Sequence, residues 1–186
     1  MDFFIKERSK VMRTARSEKL ERTVLAGIFS ALIFVFTAFI HIPVGAGYIH
    51  AGDGLIYLAA SLLPVPYAVV SAVLGGVLAD GLSGYPVWIP ATAVVKAVTA
   101  LFFSNKGEKV LTARNIAAIF PAAVVCVVGY SVYEGAFLSG GFNKAALTAA
   151  FMQTPAYLVQ TAASAVLYIA AAMAFDRSKI AKKRRS

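Results

Sequence analysis

The stretch "VVSAVLGGVLADGLSGYPVWIPATAVVKAVTALFF", residues 69–103, is two long apolar runs, and each carries one ionisable side chain among greasy neighbours. Asp80 closes the first run and Lys96 sits midway along the second. A charge at the centre of a membrane helix costs about 2.5–3.5 kcal/mol on insertion scales, so such residues face protein or a water-filled cavity and mark functional sites. Gly84-Tyr85-Pro86, between the runs, turns the chain. Helix, turn, helix in a bilayer is the reading that sets the rest.

Working outward, 59% of the 186 residues are hydrophobic and the mean hydropathy is +0.73. A soluble domain of this length has too little interior to hide that surface. The apolar runs are continuous rather than alternating, which disfavours an outer-membrane barrel. The single cysteine, Cys126, lies in an apolar run and reads as a small buried residue. The net charge of +9 is concentrated at the ends, with seven Lys/Arg in residues 1–22 and six in the tail from Asp176. Clusters flanking apolar helices set topology and touch anionic headgroups, so nucleic acid is not the expected partner. The start is not a cleaved signal peptide, because the apolar segment after the basic stretch is of full spanning length.

The expected fold is an all-α integral membrane protein with six transmembrane helices and cytoplasmic N- and C-termini. Residues 1–22 are a basic cytoplasmic segment, 23–175 the six-helix membrane domain and 176–186 a basic cytoplasmic tail. The helices are predicted near 23–42, 53–63, 67–82, 87–103, 115–133 and 146–175. "PVGAGYIHAG", "SGYP" and "EGAFLSGGFNK" are loops on the outer side. With the N-terminus inside, Lys106, Lys109 and Arg114 join the two terminal clusters, and only Lys96 and Lys144 fall elsewhere. Lys96 lies about 13 Å down the fourth helix, from where its stem can reach up toward Asp80.

Trp88, Thr92, Lys96 and Thr99 share one helical face, as do Gln153, Tyr157, Gln160, Ser164 and Tyr168. Asp53, Tyr57 and Ser61 stripe the second helix, and Tyr130, Tyr133 and Glu134 end the fifth. Such stripes line a chamber suited to an amphipathic ring compound, with aromatic faces for stacking and amides and carboxylates for heteroatoms. The candidate ligand-binding residues are therefore His50, Asp53, Tyr57, Asp80, Tyr85, Trp88, Thr92, Lys96, Tyr133, Glu134, Gln153, Tyr157 and Gln160. Plainer readings stand beside them. Asp53 after Gly52 is a possible helix cap. Asp80 and Lys96 read equally as a structural ion pair, Trp88 and the terminal tyrosines as interfacial belt, and the glutamines as interhelical glue. Ala68, Ala72, Gly76, Asp80 and Gly84 recur every four residues, a pattern of close helix packing. In the first helix, Ala26/Ser30 and Gly27/Ala31 suit either packing or the docking of another protein.

The sequence holds no phosphate loop, no His/Cys metal cluster and no nucleophile–base pairing, so neither an enzyme nor a bound cofactor is expected. A self-sufficient secondary transporter or channel, with Asp80 and Lys96 as an ion or proton relay, is the alternative to a binding subunit. A membrane-embedded enzyme or assembly factor ranks last.

Residues 47–96 resemble the S components of energy-coupling factor (ECF) transporters, notably the riboflavin-type group. The similarity is carried by Gly52-Asp53, Pro64, Ala79-Asp80, Ser83-Gly84-Tyr85-Pro86 and Thr92 with Lys96. The resemblance implies a substrate-capture subunit in a prokaryotic plasma membrane for a water-soluble vitamin or precursor. A flavin, pyridoxine-like, pyrimidine or thiazole ring is the expected ligand class. It implies as partners a coupling membrane subunit, met by the first helix, and two cytoplasmic ATPases. It also implies an outward pocket covered by the loop after the first helix, and toppling in the membrane to release ligand.

Overall fold

Prolines and glycines set the corners of this chain, and apolar faces fill what lies between them. The computed structural model describes residues 2–45, 47–139 and 143–178. Helix α1 (Asp2–Ala38) leads into an antiparallel hairpin of β1 (His41–Val44) and β2 (Gly47–His50). Helices α2 (Asp53–Leu62) and α3 (Val65–Leu82) follow, then a 3₁₀ turn at Pro86–Trp88 and α4 (Ile89–Leu101). Next come α5 (Ala113–Ala117) and α6 (Ile119–Tyr133), the latter running into a π turn at Glu134–Leu138. Helices α7 (Lys144–Phe151) and α8 (Thr154–Arg177) complete the order.

Each boundary has a local cause. Leu63 is extended before Pro64, whose own ψ of 145° also lies outside the helical range, so α2 stops there. Pro66 then sits in the first turn of α3, where a missing N–H costs nothing. Gly84, at φ +89°, supplies the left-handed step that turns α3 toward α4. Thr112 and Asn143 cap α5 and α7 by accepting from the backbone N–H of Asn115 and Ala146.

Among the described residues, four helical segments are long and apolar enough to cross a membrane: Arg16–Ala38, Val65–Leu82, Ala113–Leu138 and Lys144–Arg177. Asp53–Leu62 and Pro86–Leu101 are apolar but shorter. The chain is thus a helical membrane protein with one small β element among the described residues.

That β element corrects the sequence reading. The first helix ends at Ala38 rather than near 42, and the expected glycine-rich loop is a hairpin with His41 paired to His50 and Val44 to Gly47. Pairing two short strands satisfies backbone groups that a loop packed on the bundle would leave bare, and Gly45 at φ +57° makes the reversal. At its other end α1 runs unbroken from Asp2 through the basic segment. The sixth predicted helix is two, broken at Met152-Gln153 just before Pro155. The basic tail from residue 179 onward lies outside the described residues, as do residues 1, 46 and 140–142.

Small residues bring the helices close. A Cβ on Gly75 of α3 would fall 2.7 Å from Cβ of Ile33 in α1, and one on Gly76 would fall 2.9 Å from Thr92 in α4. A Cβ on Gly54 of α2 would collide with the Ser164 carbonyl oxygen of α8. Below the hairpin, Ile33, Ile56, Tyr57, Phe103, Val110 and Tyr168 belong to one buried core. Away from the hairpin, Asp176 at the end of α8 accepts from the backbone N–H groups of Val110 and Leu111 at 2.9 and 3.0 Å. Fully buried Asn115 donates to Ser61 Oγ and to the Ser104 and Val110 carbonyls, and it accepts from Ser104 N. The loop between α4 and α5 is pinned.

Candidate functional site

The hairpin lies over a small cavity of about 30 Å³ lined by Gly47, Tyr48, His50, Asp80, Trp88, Thr92, Tyr130, Tyr157 and Gln160. The strands supply the roof. A Cβ on Gly47 would come 3.3 Å from the Trp88 ring, so only glycine lets the backbone lie that close. A Cβ on Gly45, at the hairpin tip, would fall 2.7 Å from the Gln153 side chain. Helices α3, α4, α6 and α8 give the walls. Tyr130 and Tyr157 stack with centroids 5.8 Å apart, and Trp88 meets Tyr130 edge-on at 5.8 Å.

Beneath the cavity is a buried ion pair. Lys96 Nζ donates to Asp53 Oδ1 at 2.6 Å, Gln160 Nε2 donates to Asp53 Oδ2 at 2.9 Å, and both charged residues are nearly sealed from solvent. Asp53 occupies the first turn of α2, where unpaired N–H groups favour an anion. It is not the cap, since Gly52 holds that position. The lysine stem runs past Gly76, and the ammonium lies 5.3 Å from the centre of the Tyr130 ring.

The expected Asp80–Lys96 pair is therefore not formed. Asp80 Oδ1 instead accepts from the Tyr48 hydroxyl at 2.5 Å, and its Oδ2, also buried, has no hydrogen-bond partner among the described residues. The physical reason is the hairpin: it carries the chain back into the bundle, so the first turn of α2 reaches the level of Lys96. Tyr48 comes down over Asp80 from above. An Asp80–Lys96 relay loses its premise, because the ammonium is committed to Asp53.

Of the remaining predicted residues, His50, Trp88, Thr92, Tyr157 and Gln160 line the cavity with Asp80. Tyr85 sits at the rim, 4.7 Å from Tyr48 between ring centroids. Tyr133 donates to the Val87 carbonyl at 2.7 Å, and Glu134 is held by Gln153 Nε2 at 2.6 Å. Tyr57 lies apart from the cavity, stacked on Phe103 at 4.6 Å in the core. Ala26 and Ser30 are buried, with Ser71 of α3 bonded to the Ala26 carbonyl, whereas Gly27 and Ala31 are exposed.

The candidate list omitted Gly47, Tyr48 and Tyr130. Tyr130 stood on a recognised stripe. Tyr48 was findable only by its spacing of two from His50, which puts both on one face of a strand.

The hairpin's ionisable groups are tuned by where it lies. Burial pushes the His50 imidazole from its ordinary 6.5 down to about 3, with Lys96 and His41 adding to the shift and Asp53 opposing it. Its Nδ1 accepts from Gly52 N at 3.0 Å, which leaves Nε2–H as the ring's donor. Burial first, and then the Asp80 carboxylate, raise the Tyr48 phenol well above its usual range, so it stays a donor. Between about pH 3 and 6.5 the unfolded chain binds a proton at His50 that the folded one refuses. Stability from this residue is therefore complete above pH 6.5 and declines as pH falls toward 3. Melting measured from pH 7 to 4 should show this decline, and His50→Asn should flatten that part of the profile.

A family model described as ECF-type riboflavin transporter, S component, matches residues 17–177. No curated protein matches the chain.

Proposed function

The chain belongs to the family of ECF-type riboflavin transporter S components, and from that premise we propose that it captures a flat, polar heterocycle in the cavity beneath the hairpin. The family is one of transporter subunits rather than enzymes, and it makes this chain a vitamin-uptake protein of the membrane. One observation carries the finer reading. A cavity roofed by a short hairpin gathers three aromatic side chains from different elements, Trp88, Tyr130 and Tyr157, around a buried carboxylate, Asp80, whose Oδ2 has no hydrogen-bond partner among the described residues. Aromatic faces take the ring and Asp80 takes a polar edge.

The six apolar helices cross the bilayer, with the hairpin outside and both termini in the cytoplasm. The basic loop 104–114 is pinned to the far end of α8, opposite the hairpin tip, which supports that orientation. Gly27 and Ala31, exposed on α1 with Val24 and Ile28 beside them, form the surface for the coupling subunit, behind which the two ATPases supply the energy.

The test uses Trp88, the chain's one tryptophan, which lines the cavity. Purified in detergent, the protein should carry a vitamin-type heterocycle identifiable by mass spectrometry. Rebinding should change Trp88 emission with a Kd in the nanomolar range. Uptake in cells should require the coupling subunit and ATPases, and Gly27→Leu with Ala31→Leu should abolish uptake while binding persists. Gradient-driven flux in liposomes holding this protein alone would overturn the reading.

A further inference from the structure

The apolar part of α1 is too short for the bilayer it crosses. Its last charged side chain is Arg22, paired to Glu18 at 3.0 Å with both about half exposed, which places that turn outside the hydrocarbon. No Asp, Glu, Lys or Arg follows until Asp53. From Thr23 to Ala38 the helix rises about 22 Å at 1.5 Å per residue, against a hydrocarbon core of about 30 Å. Tilt only widens that shortfall of about 8 Å. The residues after Ala38 have to fill it.

They are apolar and bare. Phe39, Ile40 and Ile42 are 74%, 53% and 64% exposed. Phe39 keeps the helical register, its N–H donating to the Val35 carbonyl at 3.0 Å, so it continues the exposed face of Leu25, Leu32 and Val35. The hairpin carries the same surface onward. Ile42 pairs with Ile49, and their side chains leave the sheet on the face opposite Tyr48 and His50, which turn in to Asp80 and the bundle. The roof of the cavity therefore has a polar front and an apolar back. Its backbone is equally suited to lipid. The strands pair with each other, and His41 Nδ1–H donates to the Ala38 carbonyl at 2.8 Å, at the open end of the helix. Pro43, on the free edge of β1, has no N–H to leave bare.

We propose that the back of the hairpin is seated in the bilayer. Phe39, Ile40 and Ile42 occupy the depth of hydrocarbon that α1 leaves unspanned, Ile49 lies at its margin, and the lipid holds the roof against the bundle. The occupant is acyl chain rather than a partner protein, because the surface is continuous with the lipid-facing side of α1 and lies at the level the helix fails to reach. The seat itself needs only the membrane. The holding role rests on the capture reading, since swinging the roof off the cavity drags Ile42 and Ile49 out of lipid.

Two measurements on the full-length protein in phosphatidylcholine vesicles test this. In the first, Trp88→Phe removes the chain's own tryptophan, and depth is reported by Ile42→Trp or by Ser17→Trp, an exposed position in the charged part of α1. Ile42→Trp should emit in the blue and be quenched more by lipid brominated high on its acyl chains than by lipid brominated near their ends. Ser17→Trp should emit as in water and escape both. Water-like emission from Ile42→Trp, or blue emission that neither lipid quenches (the mark of a protein cover), overturns the proposal. The second measurement follows release of riboflavin, the compound in the family's description, from the chain with Trp88 intact. Ile40→Ser with Ile42→Ser should release it at least about fivefold faster than the wild type. Ile42→Leu should match the wild type, because lipid accepts any apolar shape whereas a packed protein contact does not. An unchanged rate in the serine variant, or a faster one in Ile42→Leu, overturns the holding role. If the wild type binds neither riboflavin nor a co-purified heterocycle, the capture reading fails and the holding role with it, while the quenching still decides the seat.

Discussion

Lys96→Ala is expected to destabilise the bundle by about 3–5 kcal/mol, the range for breaking one side of a buried ion pair. The magnitude comes from what is left behind. Asp53 is 3% exposed and takes its charged hydrogen bond from Lys96 at 2.6 Å. Without the ammonium, a carboxylate remains inside the protein with only the Gln160 amide for support. The alanine also removes a stem packed against Gly76. Thermal unfolding in detergent, followed by Trp88 emission, should show a large drop in melting temperature. The pair itself is a weaker asset than its breakage suggests, because both charges were desolvated to form it. Asp53→Asn combined with Lys96→Met should therefore recover most of the loss. Wild-type melting in Lys96→Ala would mean that the pair is open to water and that the buried site described above is wrong.

A second pair of variants is expected to split in sign. At Gly54→Ala the new methyl would run into the backbone carbonyl of Ser164, which cannot swing aside as a side chain would. Separating α2 from α8 should cost about 1–3 kcal/mol. It should also cost ligand affinity, because Asp53 and Gln160 stand on those two helices and bond each other across the contact. At Gly27→Ala nothing lies within 4 Å of the new Cβ, and the residue is in the middle of α1. There the substitution should add about 0.5–1 kcal/mol of stability through helix propensity. Side-by-side melting of the two variants checks both. The crowded site and the open one should give opposite signs, and a shared sign would contradict the packing at one of the two positions.

Much of this was legible because membrane helices write their faces into sequence. Trp88, Thr92, Lys96 and Thr99 were read as one face, and all four are buried. The breaks at Pro64 and Gly84 were likewise visible, since each forces a backbone conformation that a helix cannot absorb. The hairpin was not, because "HIPV" and "GYIH" are too short to display a period of two and sit among glycines that look like loop. Missing it also misassigned the ions. Spacing along α3 and α4 put Asp80 and Lys96 within reach of each other, but no local pattern says that a strand will lower Tyr48 onto one and Asp53 onto the other. The division of the last helix was written more faintly, in Pro155 alone.

The clasp that Asp176 and Asn115 make around the loop between α4 and α5 reaches beyond local stability. Two carboxylate oxygens and a side-chain amide tie that end of the protein shut through its own backbone, while the hairpin is held on the bundle by the Tyr48 phenol on Asp80 and the His50 N–H on Gln160 Oε1. The two ends of the bundle are therefore tied unequally. Opening the hairpin end breaks fewer side-chain hydrogen bonds than opening the other, so the cavity gives way first on the hairpin's side.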